Sequence, residues 1–157
     1  MHMNLSRALL VFTVIVRGMG AGIIYDVAVI GLDTRREIGI LAYAHFARAL
    51  FERRGKKNYV PISIGGALLT ILMTIFAVLD HLSQRSCLWT WIALFSTIIA
   101  FVGTSQALPA IAEVRHSCEA DEAGLAAALD RFARWHLFST IWQVASFVAL
   151  TLALAYD

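Results

Sequence analysis

This sequence predicts an all-α fold, an integral membrane four-helix bundle with an amphipathic interfacial helix between transmembrane helices 1 and 2. Three observations carry that expectation. Charged residues make up only 15% of the 157, whereas a soluble domain needs about 25% to meet water on all sides. Four apolar stretches, Ala8–Ile30, Tyr59–Leu79, Leu88–Pro109 and Trp135–Tyr156, each approach the ~20 residues that cross a hydrocarbon core. A helix satisfies its own backbone in lipid, whereas strands would have to close into a barrel. The whole chain therefore reads as a single membrane domain.

The first stretch is longer than a signal-peptide apolar region and runs on through Tyr25 and Asp26 without a small-residue cleavage site. It is expected to remain as a span. The segment after it, "TRREIGILAYAHFARALFERR", opens with Thr34-x-x-Glu37, a capping-box spacing. Its apolar run is too short to cross and both ends are basic. That pattern predicts an amphipathic helix over about residues 34–54, lying near anionic headgroups; a solvated basic loop is the alternative.

Gly55 ends this segment and Pro61 suits the first turn of the second span. Within that span Gly65 and Gly66 allow close helix contact. A short second loop forces an antiparallel pair, and "QALPAIAEV" closes the third span at Pro109. The third loop, "EVRHSCEADEAGLAAALDRFAR", is polar and then helical, extending the fourth span inward.

Orientation follows from the basic residues. Loops one and three hold ten lysines and arginines, while the opposite side has only Arg7 and Arg85. By the positive-inside rule this places both termini on the non-cytoplasmic side of an inner membrane. Cys87 and Cys118 then fall on opposite faces of the bilayer, so no bridge joins them within one chain.

Two features of the first span stand out. Gly18, Gly20 and Gly22 are not a dinucleotide fingerprint, which needs G-x-G-x-x-G between a strand and a helix. Gly18-x-x-x-Gly22 matches the spacing that lets membrane helices approach closely, so Gly18 and Gly22 are expected to pack; a ligand-facing surface is the alternative. Arg17 lies near the centre of the span, too deep to snorkel easily. Asp26, nine residues on, is expected on the same broad side but more than two turns away. The partner of Arg17 must then come from another helix, an anionic ligand or lipid. A simpler reading satisfies it with carbonyls and hydroxyls of the fourth span.

His136, Ser139, Thr140, Gln143 and Ser146 recur at steps of three and four, one polar stripe along an apolar helix. Thr97, Thr104 and Gln106 place polar groups on the third span. By rise per residue, Asp26, Gln106 and His136 share one depth, roughly 10–14 Å inward of the midplane, with Arg17 and Gln143 at the midplane. These depths predict a polar pocket opening inward. Its catalytic candidates are His136 as general base, Asp26 as its orienting partner and Arg17 as anion stabiliser. Its binding candidates are Gln106, Trp135, Ser139, Thr140 and Gln143. Interhelical hydrogen bonding alone is the plainer alternative, at about 0.6 kcal/mol per contact.

Glu113-x-x-His116 has the i, i+3 spacing of di-iron bundles, and His45 and His136 lie on the same membrane side. The matching glutamates are missing, so no cofactor is expected, with a metal or haem site as the lesser alternative.

The order of these features resembles the anthrone-oxygenase-like family of small four-helix membrane proteins, much of it a domain of unknown function. The resemblance covers most of the chain. It rests on the glycine-rich first span, the basic segment after it, "QALPAIAEV", and "RFARWHLFSTIWQVASFVALTLAL" with Trp135 and His136 opening the last span. It implies a bundle that binds a small aromatic or lipophilic compound, and an oxidoreductase inserting oxygen without a recognised metal or flavin. Trp135 and His136 are the positions it carries over. Where the family often has an Asn after the proline and an Arg past the histidine, this chain has Ile111 and Ala112, then Ser139 and Thr140.

Two functions of different kinds follow as expectations. One is a membrane enzyme of that type acting on a lipophilic substrate. The other is a non-catalytic accessory subunit docking on its own copy or a larger membrane complex. A small-molecule or proton transporter is a weaker third, with no inverted repeat in view. The bilayer itself is a partner, and nucleic acid is not.

Overall fold

The computed structural model describes residues 5–50, 56–79, 82–116 and 121–157, the side chains of residues 56 and 115 excepted. It is helical throughout, and four helical spans are long and apolar enough to cross a membrane. Helix α1 (Leu5–Asp26) passes through a π-helical turn, Val27–Gly31, into α2 (Leu32–Ile38). Then come α3 (Ile40–Ala49), α4 (Lys56–Leu79), α5 (Gln84–His116) and α6 (Glu122–Tyr156). α1 packs on α4 and α6, α4 packs on α5, and α5 on α6, which closes a four-helix ring. The bundle is an integral membrane architecture of the kind the apolar runs predict.

Small residues, alanine above all, make up much of its interior. Two apolar clusters cap the bundle, one around Leu10, Met73 and Leu150, the other around Tyr43, Val114 and Leu129. Between them lie buried hydroxyls, Gln143 and Arg17. Large apolar side chains such as Phe12, Met19, Leu68, Phe95 and Ile141 are exposed. Such an inverted surface suits hydrocarbon, where helices associate by close packing rather than by escape from water.

Helix boundaries differ from the sequence expectation at three places. Thr34 does not cap a new helix: its hydroxyl donates to the Ile30 carbonyl at 2.8 Å, inside the continuous α1–α2 rod. The break comes at Gly39, with φ 86° and ψ 164°, a region essentially reserved for glycine. α5 runs on through Pro109 to His116 and α4 starts at Lys56, ahead of Pro61. At 33 and 35 residues, α5 and α6 are about 50 Å long, well beyond a ~30 Å hydrocarbon core.

The overhang explains α3. Its small face, Tyr43, Ala44 and Ala47, is buried against Ala107, Ala110, Val114, Leu125 and Leu129 of the extended α5–α6 pair. Arg48 fixes the contact by donating from Nε and Nη2 to the Val114 carbonyl at 3.1 and 3.0 Å, satisfying an acceptor near the α5 C-terminus. So α3 is docked on protein rather than resting on lipid by itself. Residues 51–54 of the expected segment lie outside the described residues, as does Cys118; Cys87 is a half-buried free thiol.

Burial raises the Tyr43 hydroxyl above its ordinary pKa of 10.0, with Arg35 opposing. A raised folded value means stability that is complete below pH 10 and lost as pH climbs through that value. The unfolding midpoint in detergent should therefore fall at strongly alkaline pH, and Tyr43→Phe should remove part of the fall. Parallel losses in the two proteins would exclude Tyr43 as the cause.

Glycines separate in the same way. A Cβ at Gly103 would lie 2.8 Å from Phe138 Cδ1 and 3.2 Å from the Ser139 Cα, whereas at Gly65 it would meet nothing within 4 Å. Gly103→Ala should cost about 1–3 kcal/mol, while Gly65→Ala should be neutral or gain up to about 1 kcal/mol from helix propensity. Unfolding midpoints of the two variants test the difference.

Candidate functional site

Arg17 is 5% exposed, about 18 Å from the α1 start and 14 Å from its end by helical rise. The guanidinium crosses to α5, where Nη2 donates to Thr97 Oγ1 at 3.1 Å. Thr97 passes its own proton to the Ala93 carbonyl at 2.8 Å and lies 2.9 Å from Ser146 Oγ of α6. Ser146 in turn donates to the Ala93 carbonyl at 3.0 Å. Gly66 of α4 makes the slot: a Cβ there would lie 3.0 Å from Arg17 Cδ. Arg17 Nε has no hydrogen-bond partner, and among the described residues no carboxylate pairs with the guanidinium.

Two turns further along, a second set of hydroxyls joins α5 to α6. Thr104 and Ser139 are 2.8 Å apart, Ser139 donates to the Ala100 carbonyl at 3.0 Å, and Gln143 Nε2 reaches Ser139 Oγ at 3.4 Å. Thr140 is buried, but its hydroxyl bonds the His136 carbonyl within its own helix. Trp135 is half-buried at the edge of the inner apolar cluster, in edge contact with Phe138.

His136 sits at the end of this seam. Its ring stacks on Phe132 with centroids 5.1 Å apart, and the Ile24 backbone lies within reach as an acceptor. Nε2 is buried without a partner. With the ring proton on Nδ1, Nε2 keeps a lone pair. Ile24 is seven residues from Arg17, so the two groups lie on one face of α1, about 10 Å apart in depth.

Two expected members do not join them. Asp26 and Gln106 are both exposed. Each matches His136 in depth, but nine residues at about 100° each put Asp26 roughly 180° around the helix from Arg17. Gln106 stands in the same relation to Thr97. The expected same-side placement of Asp26 is therefore corrected by helical rotation, and the Ile24 backbone takes the place beside His136. A Cβ at Gly18 would lie 2.9 Å from Phe147, whereas one at Gly22 would meet nothing within 4 Å.

Glu113 is engaged by Arg131 at 3.0 Å, and His45 and His116 are exposed. Among the described residues no three metal-ligating side chains cluster. Sequence reasoning did not anticipate Gly103, Phe132 or the slot at Gly66. Only the small size of the two glycines was visible, not what would fill the space.

Comparison with protein-family models, with curated proteins and with solved structures finds no match to this chain. The site must be read from its own geometry.

Thr97 is the acceptor on which the buried guanidinium depends. Thr97→Val should destabilise the bundle by about 1–3 kcal/mol, and Ser96→Ala, which removes a helix-internal bond at 2.8 Å, by clearly less. Equal shifts in unfolding midpoint would show that Arg17 does not need Thr97.

Proposed function

We propose that the bundle binds a small lipophilic or aromatic compound along the α1–α6 seam. The observation that carries this reading is the pair of buried, unpartnered nitrogens, Arg17 Nε and His136 Nε2. A buried donor or acceptor left unmade costs about 1–3 kcal/mol, more for a charged group. In membrane spans, charged residues of this kind are functional by default. Arg17 asks for an oxygen acceptor, neutral or anionic, and His136 Nε2 asks for a donor. The ligand that answers both has an acceptor oxygen at one end, an acidic hydrogen at the other and an apolar skeleton between them.

In its catalytic form this is a cofactor-independent oxygenase similar to the anthrone oxygenases. His136 Nε2 takes a proton from the substrate, and the resulting negative charge is delocalised toward the oxygen held by Arg17. Ser139, Thr140 and Gln143 line the path, with Trp135 at its inner edge. The charge distribution supports an inner-membrane location with both termini on the non-cytoplasmic side.

One observation favours a second reading. Nothing lies within 4 Å of the Cβ position at Gly22, which leaves room for a helix of another copy or of a larger complex.

The test is organic extraction of protein purified in nanodiscs, followed by mass spectrometry. A lipophilic compound should accompany the native chain and fall at least about tenfold in Arg17→Gln, the scale of one charge-assisted hydrogen bond. Gly22→Leu should retain it. Identical extracts from the native chain and Arg17→Gln would overturn the binding reading, and dissociation of a co-purified complex by Gly22→Leu would establish the second.

A further inference from the structure

Where α1 leaves the span, the π-helical turn, α2, the start of α3 and the first half of α6 enclose a cleft of about 610 Å³. It is separate from the Arg17 seam. Its apolar lining includes Ala28, Leu32 and Ala133. Its charged lining is Asp33, Arg35, Arg36, Glu122 and Asp130. The sharp reversal at Gly39, φ 86° with nothing near its Cβ position, leaves the corner open.

The charges are not equivalent. Arg35 is committed to Asp130 at 2.6 Å and is only 18% exposed. Arg36 and Asp33 pair at 3.2 Å, yet their side chains are 86% and 70% exposed, so the contact exchanges readily with other partners. Glu122, in the first turn of α6, makes no ion pair among the described residues. The cleft therefore offers one spare carboxylate and one exchangeable guanidinium beside an apolar lining. On α6, Asp130 lies about 7.5 Å and Glu122 about 20 Å beyond Trp135 by helical rise, so both carboxylates stand past the apolar part of the span.

We propose that this cleft holds the headgroup of a zwitterionic aminophospholipid. Glu122 receives the primary ammonium, Arg36 receives the phosphate, and the glycerol and upper chains rest on Ala28, Leu32 and Ala133. A primary ammonium donates hydrogen bonds to a carboxylate, which the quaternary group of a choline lipid cannot do. An anionic glycerol lipid brings no cation to Glu122.

Native mass spectrometry of the full chain, titrated separately with phosphatidylethanolamine, phosphatidylcholine and phosphatidylglycerol of the same acyl chains, tests this. Phosphatidylethanolamine should be retained about five-fold over each of the others, the scale of one exposed ion pair. Glu122→Gln, at an exposed position, should abolish that preference, and Glu122→Asp should keep part of it. Arg36→Gln should weaken phosphatidylethanolamine binding. Soluble glycerophosphoethanolamine at equal concentration should displace none of the lipid. Equal retention of the three lipids, an unchanged preference in Glu122→Gln, or displacement by the soluble headgroup would each overturn the proposal.

Discussion

A guanidinium at the depth of lipid tails is the constraint around which the bundle is arranged. Leaving such a charge against hydrocarbon costs several kcal/mol, so the protein must enclose it. Arg17 is enclosed without a carboxylate among the described residues. α5 presents Thr97, whose hydroxyl accepts from Nη2 because its own proton goes to the Ala93 carbonyl. Ser146 of α6 bonds the same carbonyl, so one backbone acceptor registers two helices around the charge. α4 contributes an absence, the missing side chain of Gly66. Three helices are thus fixed relative to α1 by the needs of one side chain.

The same economy recurs across the helix contacts. Gly18 of α1 receives the Phe147 ring, Gly66 of α4 receives the Arg17 stem, and Gly103 of α5 receives Phe138. Each glycine lets a bulky neighbour lie against backbone, the close approach that drives association where hydrophobic burial has no force. The inner ends work differently. There α5 and α6 project past the bilayer, so Tyr43, Ala44 and Ala47 of α3 can be buried in an ordinary apolar cluster. The chain is a membrane bundle along most of its length and a small water-facing helical assembly at the basic end.

Much of the fold was legible because apolar run length reports directly on bilayer thickness. What run length cannot report is where a helix stops once protein rather than lipid surrounds it. Pro109 and Thr34 carry stop and start signals, yet tertiary contact carried α5 through the one and α1 through the other. The site was legible in depth and not in azimuth. Depth accumulates at a fixed rise, so His136, Gln143 and Arg17 can be ranked along their helices from residue number alone. Azimuth turns by about 100° per residue, and a separation of nine reverses the face. Asp26 and Gln106 match the site in height and are exposed around the far side of their helices. The Ile24 backbone that lies within reach of His136 leaves no trace in residue identity at all.

The seam's hydroxyls narrow what can complete it. Thr97, Thr104, Ser139, Thr140 and Ser146 each already donate to a carbonyl, so their protons are committed along the helices. Rotating one toward His136 Nε2 would strand a backbone acceptor, and in a low-dielectric interior that exchange gains nothing. Arg17 Nε faces the complementary problem, because Thr97 already serves Nη2. The two unpaired nitrogens therefore ask for opposite partners, an acceptor beside Arg17 and a donor about two turns along the seam. Water could meet either demand singly, but a molecule that meets both also has to be apolar along the stretch between them. On the proposed binding reading, that requirement, set by which atoms are left unpaired, separates a selective seam from one that is merely polar.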